Sequence, residues 1–444
     1  MRAFRWSCAP AMALAILASG RSAAAQSDSA QGQPAPGPVA LQQEIQQLRA
    51  EFEALKRQYD ERLSALEAKL AGVGGAAAAG APTQPQPPAT APVGAGAQGA
   101  GGPTGQLPVY GAAAAGSKIF NPDIAVIGDF LGASGKNRVN PGPALAMHES
   151  EASLQAVVDP YARADFFVSF GESGVDLEEG FITFTSLPGG LLTKVGKMRA
   201  AFGKVNTLHN HVMPWTDRPL VTENLVGGEE GIADAGISVA RLIPNPWLFL
   251  EATGQVFRGD SGELFRSSER GDLSYVGHLR AYHDITESTN IDLGFSAAHG
   301  HNTAGIIEQV DSGRFKTNLF GVDATLRWRP LQRSIYRSFV GRSEFIWSRR
   351  DQFDGLQKAN GFYVSGDYQF ARRWFAGARY DRSDHAEDPS LFDTGQSILL
   401  TYWPSEFSQV RGQYRRTKYA SGPTANELLF QFQFSIGAHG AHPF

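Results

Sequence analysis

The chain has 444 residues and a formal net charge of −4 at pH 7, a mild acidity that argues against nucleic acid as a main partner. Hydrophobic residues make up 42%, too few for a bundle of membrane-spanning helices. The length admits several ordinary domains or one large one.

The N-terminus comes first. Arg2 and Arg5 precede the apolar run "APAMALAILASG" and then "RSAAAQ". A basic start, a short apolar stretch and small residues at Ala23 and Ala25 predict a signal peptide over 1–25, cleaved after Ala25. The alternative, an anchor helix, would need an apolar run of about 20 residues. Cys8, the one cysteine, lies inside this segment, so the mature chain has no thiol or disulfide. Loss of Arg2, Arg5 and Arg21 leaves 37 basic against 44 acidic residues, a net charge of −7.

A Gln/Pro/Ser leader (26–40) leads to "LQQEIQQLRAEFEALKRQYDERLSALEAKL" over 41–70. Leu41, Ile45, Leu48, Phe52, Leu55, Tyr59, Leu63, Leu66 and Leu70 recur at steps of four and three, with one stutter at Tyr59. This is a coiled-coil seam and predicts homo-oligomerisation; the alternative is a single amphipathic helix lying on another surface. Residues 71–120 are Ala, Gly, Pro, Thr and Gln with almost no charge, a flexible linker.

From Asn121 onward the period becomes two. Sixteen segments alternate: 123–131, 147–157, 161–170, 175–185, 191–199, 235–243, 247–257, 273–284, 289–298, 316–329, 337–350, 360–370, 374–384, 393–403, 407–419 and 426–437. Most have the length of a tilted membrane strand, about 9–11 residues. Short turns such as "VDP", "PNP", "ITES", "ARR" and "PSE" alternate with longer loops at 132–146, 200–234, 258–272, 299–315, 351–359 and 385–392. The expected fold is all-β: a sixteen-stranded antiparallel transmembrane β-barrel over 121–444, embedded in outer-membrane lipid, with the coil on the periplasmic side. Phe430, Phe432 and Phe434 would face lipid, and Gln431 and Gln433 the lumen. A secreted β-sandwich would alternate too, with its apolar side inward. Trp247, Trp328, Trp374 and Trp403 all abut short turns, as an interfacial aromatic girdle at one rim requires. Sixteen strands enclose a water-filled lumen, so passive diffusion of small polar solutes or ions is the expected function.

The stretch "VDLEEGFITFTSLPGGLLTKVGKMRAAFGKVN", followed by "DRP", resembles the phosphate-selective porin O and P family of bacterial outer membranes. An acidic pair on a strand, a hairpin, a Val-Gly-(Lys/Gln)-Phe/Met run and a loop with an arginine carry the likeness. Val195, Gly196, Lys197, Met198, Phe202 and Gly203 match, and Ala201 stands where that family has proline. The resemblance implies a porin. The terminal Phe444 resembles the aromatic read by the outer-membrane assembly machinery.

The 35-residue link 200–234 is the expected constriction, since long links in compact domains are usually functional or disordered. Lys204 and Arg218 stand against Asp217, Glu223, Glu229, Glu230 and Asp234, a net of −3. Lumen-side charges are mixed: Arg163, Arg280, Arg327, Arg342, Arg411 and Arg415 against Glu151, Asp165, Asp292, Asp323, Glu344 and Asp367. A phosphate channel wants a basic excess, so the expectation is weak, cation-leaning selectivity. The plainer alternative is that these charges pair across strands and hold the wall. The pairs His209/His211 and His299/His301 could bind a transition metal if their loops met, but isolated His-x-His pairs are more often solvated loop residues; the expectation is no metal and no cofactor. No G-x-S-x-G, H-E-x-x-H or Walker run points to an enzyme. Residues 26–120 offer no plug domain. Tethering of the envelope through the coil, or uptake of a specific solute such as phosphate or a metal, are the competing roles.

Overall fold

In the computed structural model the described residues are 122–437, apart from 172–173, 263, 308–309, 312–313 and 406. The expected signal peptide, leader, coiled coil and linker lie outside them, as does Phe444.

Sixteen antiparallel strands close into one barrel. They are β1 (Asp123–Lys136), β2 (Leu145–Asp159), β3 (Ala162–Gly171), β4 (Gly174–Leu187), β5 (Leu191–Arg199), β6 (Ala233–Leu242), β7 (Phe249–Phe257), β8 (Ser274–Thr286), β9 (Thr289–His301), β10 (Lys316–Trp328), β11 (Ser338–Gln352), β12 (Gly355–Ala371), β13 (Trp374–Asp384), β14 (Phe392–Ser405), β15 (Ser408–Lys418) and β16 (Ala425–Gly437). Ile306–Ile307 and Val310–Asp311 form a separate two-stranded hairpin between β9 and β10. Each strand pairs with its neighbours in sequence. β16 returns to β1 in register from Ala125↔Gly437 to Lys136↔Asn426, so no edge is left open.

The alternation sets which way each face points. In β16, Leu428, Phe430, Phe432 and Ile436 are exposed, while Gln431 and Gln433 are 1% and 2% exposed. In β12, Val364, Tyr368 and Phe370 are exposed, and Ser365 and Gln369 are buried. A water-soluble sandwich would bury the apolar set. Here the apolar set is outside and the polar set inside, the inverse pattern that lipid demands. Phe432→Arg is accordingly expected to cost about 2–4 kcal/mol in lipid vesicles, the range for arginine near mid-bilayer. Urea unfolding in vesicles measures this; a cost near zero would remove that face from lipid.

Three details depart from the sequence reading. The expected loop 351–359 is a tight turn: the ladder continues to Gln352↔Gly355, and Gly355 takes φ +119°. Polar strand tips lie beyond the apolar band, so alternation fades there while the backbone ladder persists. For the same reason β1 runs on to Lys136, through part of the expected loop 132–146. Trp403 sits at the same rim as the other three tryptophans but is buried, so it is not part of a lipid-facing girdle. Its step shares the inward parity of Leu399 and Thr401; Tyr402, one residue earlier, faces outward and stacks on Trp374 at 4.5 Å.

The interior is not uniformly wet. Residues 200–232 leave the wall and contribute Phe202, Val205, Trp215, Val221, Leu225 and Ile232 to a buried apolar cluster with inward residues Leu319, Ile346, Tyr363 and Leu399. Part of the lumen is thus packed rather than filled with water, because this long link brings its own apolar side chains.

Candidate functional site: the loop across the lumen

The link between β5 and β6 is cinched at its neck. Ala200 N–H donates to Ile232 O at 2.8 Å. The Asn206 amide donates to the carbonyls of Ala200 (2.9 Å) and Ile232 (3.1 Å) and accepts from Ile232 N–H (2.8 Å). Two 3-10 turns follow, Val205–Thr207 and Asn210–Val212, then helix α1 (Leu220–Val226). Pro219 precedes α1, and Gly227 ends it at φ +103°, the left-handed cap that glycine supplies cheaply.

The loop is fastened to the wall around the barrel. Ala201 N–H donates to Gln255 of β7 at 2.7 Å, and Gly203 N–H to Ser296 of β9 at 2.9 Å. Glu344 of β11 accepts from the N–H groups of Lys204 (3.3 Å) and Val205 (3.4 Å). Gly203 has φ +59°, a left-handed conformation that glycine adopts without strain, and a Cβ there would press on the Glu344 carboxylate. Arg411 of β15 donates to Met213 O at 3.0 Å. Thr216 donates through its N–H (3.0 Å) and hydroxyl (2.9 Å) to Gln413. Leu220 N–H reaches Asp381 of β13 at 3.3 Å, and Asn224 reaches Asp393 of β14 at 3.1 Å.

Asp217 is the centre of the far attachment. It pairs with Arg379 at 2.8 Å and Arg415 at 2.9 Å and accepts from Gln413. Burial opposes its ionisation, but the two guanidiniums outweigh burial and hold its pKa at about 2. Trp215 lies between: its ring meets Tyr363 edge-on at 5.2 Å and carries the Arg379 guanidinium at 4.9 Å.

The other expected site residues divide into groups. Lys204 reaches Asp292 at 3.4 Å, and burial pushes its pKa down. Arg218 turns inward on the loop itself, donating to Asn210 Oδ1 and to the carbonyls of Val205 and Leu208. Burial lowers its pKa to about 10. Glu223 and Glu230 are exposed, and Glu229 pairs with His148 at 3.2 Å. Arg163 pairs with Asp165 on β3, Arg342 with Asp367, and Arg415 also with Glu427. Arg342–Asp367 and Arg415–Glu427 join neighbouring strands, the arrangement of the paired-wall alternative, whereas Arg163–Asp165 lies within one strand.

His209 is fully buried in a carboxylate nest. Its Nδ1 is 2.7 Å from Glu151 and 3.0 Å from Glu178, and its Nε2 is 2.8 Å from Glu179. Burial would keep the ring neutral, but Glu151, Glu178 and Glu179 outweigh it and raise the pKa well above the usual value. His211 lies beside it, ring centroids 5.7 Å apart, with Nδ1 3.7 Å from Glu151. His299 and His301 have other partners, Asn318 and Asp272. Sequence reasoning missed Glu178 and Glu179 as partners of His209, and Glu149, 3.9 Å from His211, beside them. Two bulges explain this. The ladder slips between Phe167 and Val168, so that Phe167 faces Glu179 and Val168 faces Leu177. It slips again between Asp129 and Phe130, skipping His148. A bulge breaks strict alternation and re-aims side chains; here the consecutive residues Glu178 and Glu179 both reach the ring. The "EE" pair in the sequence was the available signal.

No protein-family profile matches the chain. An uncharacterized protein of Aquifex aeolicus (strain VF5) is 29% identical over 387 residues, 74% of this chain and 81% of that protein. Among solved structures, an anion-selective porin from Comamonas acidovorans superposes with a TM-score of 0.51 at 11% identity, over 70% of this chain and 98% of that one. OprB of Pseudomonas putida, in its high-pH form, gives a TM-score of 0.51 at 10% identity, over 71% and 94% of the two chains. At such identities the likeness is one of fold: a closed sixteen-strand barrel of the outer-membrane porin type.

Proposed function

We propose that the chain is an outer-membrane porin, passing small polar solutes or ions by passive diffusion through a barrel narrowed by residues 200–232. The observation that carries this reading is the inverted barrel, apolar outside and charged inside, crossed by one loop bonded to β7, β9, β11, β13, β14 and β15. Such a loop reduces the aperture without a separate plug domain.

Selectivity is cation-leaning. Lys204 is engaged with Asp292, and the Arg218 guanidinium with Asn210 and two loop carbonyls. The cations of the loop are therefore committed to structure. A cavity of about 210 Å3 near the β3–β4 turn is lined by Glu149, Asp176, Glu178 and Glu229 beside His148, an acidic excess even though Glu229 pairs with His148 and Glu178 with Arg199. An acidic lining concentrates cations. The selectivity proposed here is opposite to that named for the Comamonas porin. Uptake of phosphate would need a basic surplus, so it is the weaker alternative; tethering through residues 41–70 is compatible with a pore. The signal peptide, the periplasmic coil and a homo-oligomer built on it belong to the same proposal.

Purified protein in planar bilayers under a KCl gradient tests both parts. Discrete conductance steps with a reversal potential toward potassium are expected. Absence of steps would sink the pore, and a reversal potential toward chloride would sink the cation preference.

A further inference from the structure

We propose that Glu149, Glu151, Glu178 and His209 form a binding site for a divalent first-row transition cation, which fastens the crossing loop to the wall. One ligand atom from each of the four lies within 4.8 Å of all the others. Three come from the wall strands β2 and β4, and the fourth from the loop.

The acidic cluster alone would carry little; two further observations point to an ion. Glu149 is 93% buried, by its 7% exposure, and neither of its carboxylate oxygens has a hydrogen-bond partner. Its nearest basic neighbour is His211, whose Nδ1 lies 3.9 Å from Oε1, beyond hydrogen-bond reach; a carboxylate withdrawn from water without a hydrogen-bond donor is costly, and a cation among these oxygens satisfies it. The second is the setting of the His209 ring. Nδ1 points at Glu151 and Glu178, while Nε2 lies 2.8 Å from Glu179. Glu179 is itself held by the N–H of Arg199 at 2.7 Å. A ligating histidine typically donates its far ring N–H to a carboxylate, which fixes the ring and the free nitrogen. Glu179 occupies that outer position, and Nδ1 is the nitrogen turned to the group.

The donor set chooses the ion. Three carboxylates and one imidazole, without a thiolate, suit divalent zinc, manganese or iron rather than a soft monovalent metal. The imidazole favours them over calcium and magnesium, which prefer all-oxygen shells. Arg199, 3.1 Å from Glu178, offsets part of the negative charge. An entry path exists, since Glu149 and Glu178 also line the acidic cavity of about 210 Å3. The bulges at His148 and Glu178 are what turn these carboxylates toward one point.

Zinc chloride is the probe. Full-length protein carrying His439→Ala and His442→Ala, which remove the histidines near the C-terminus, is stripped with chelator in detergent and titrated calorimetrically. Bound zinc is counted by mass spectrometry. About one zinc per chain is expected. Glu149→Gln loses no hydrogen bond of the metal-free protein, so it should fold, as heat-modifiable migration will show, and abolish that binding. Glu179→Gln should weaken it by roughly 10- to 100-fold, as loss of an outer-shell partner does. A folded protein that takes up no zinc, or equal zinc affinity in the Glu149→Gln variant, overturns the site. Neither result depends on whether the barrel conducts.

Discussion

Asp217→Ala is expected to raise single-channel conductance and to destabilise the protein by about 3 kcal/mol. The carboxylate sits between Arg379 and Arg415, and its removal strips a shared counter-charge from two buried guanidiniums. Breaking such a pair by removing one partner costs about 3–5 kcal/mol. The low end applies because Arg379 keeps Asp381 at 2.8 Å and Arg415 keeps Glu427 at 2.7 Å. The depressed pKa gives an independent figure. A fall from 3.8 to about 2 corresponds to about 2 kcal/mol. For a carboxyl depressed in the folded state, this contribution is complete above the unfolded pKa and vanishes as pH falls through about 2. The Asp217 attachment should therefore survive acidification to pH 5 and fail only in strong acid. Bilayer recordings and urea titrations of the variant check the prediction. Unchanged conductance together with unchanged stability would show that Asp217 does not hold the loop.

Trp215→Ala carries the larger energetic expectation, a loss of about 3–5 kcal/mol, the range for deleting a buried tryptophan side chain. The ring is 1% exposed and packs between Tyr363 and Arg379. Two consequences separate this variant from Asp217→Ala. The cavity should be partly repaired by Trp215→Phe, which restores an edge contact to Tyr363 but less volume. Conductance should also become noisier rather than simply larger, because a loosened apolar side leaves the polar attachments at Gly203 and Thr216 in place. Denaturation midpoints of the two variants in one lipid, read beside their current noise, decide this. Equal midpoints for Trp215→Ala and the parent would place the ring outside the packed interior.

The fold was legible because a lipid-facing strand leaves a simple mark. Phe430, Phe432 and Ile436 on one step, with Gln431 and Gln433 on the other, assign both faces of β16 before any pairing is known. Strand tips were less legible, since Lys136 and Gln352 lie where the apolar signal has ended but the ladder has not. Trp403 misled because residue type speaks for a membrane interface while parity alone fixes direction. The loop's importance could be read from its length, but its attachments could not. They depend on which wall residues stand opposite after closure: Glu344, Arg379 and Gln413 are far from 200–232 in sequence. The His209 nest needed two bulges, and a bulge defeats the very periodicity by which strands are read.

The attachments of the loop also impose an order on folding. Thr216 and Gln413 are 197 positions apart, and Asp217 and Arg415 are 198 apart. The loop emerges after the fifth strand, yet four of the six strands that bond it, β11, β13, β14 and β15, come much later in the chain. Until those strands are in place, Trp215, Val221 and Leu225 have no apolar surface to meet. Contacts of such long range pay their loop-closure entropy before any return, which slows folding. The neck formed by Asn206 and the Arg218 knot use only residues of the loop, so these can form early. The loop can thus travel as a pre-tied bundle while the wall is still open, and it takes its seat as the last strands arrive.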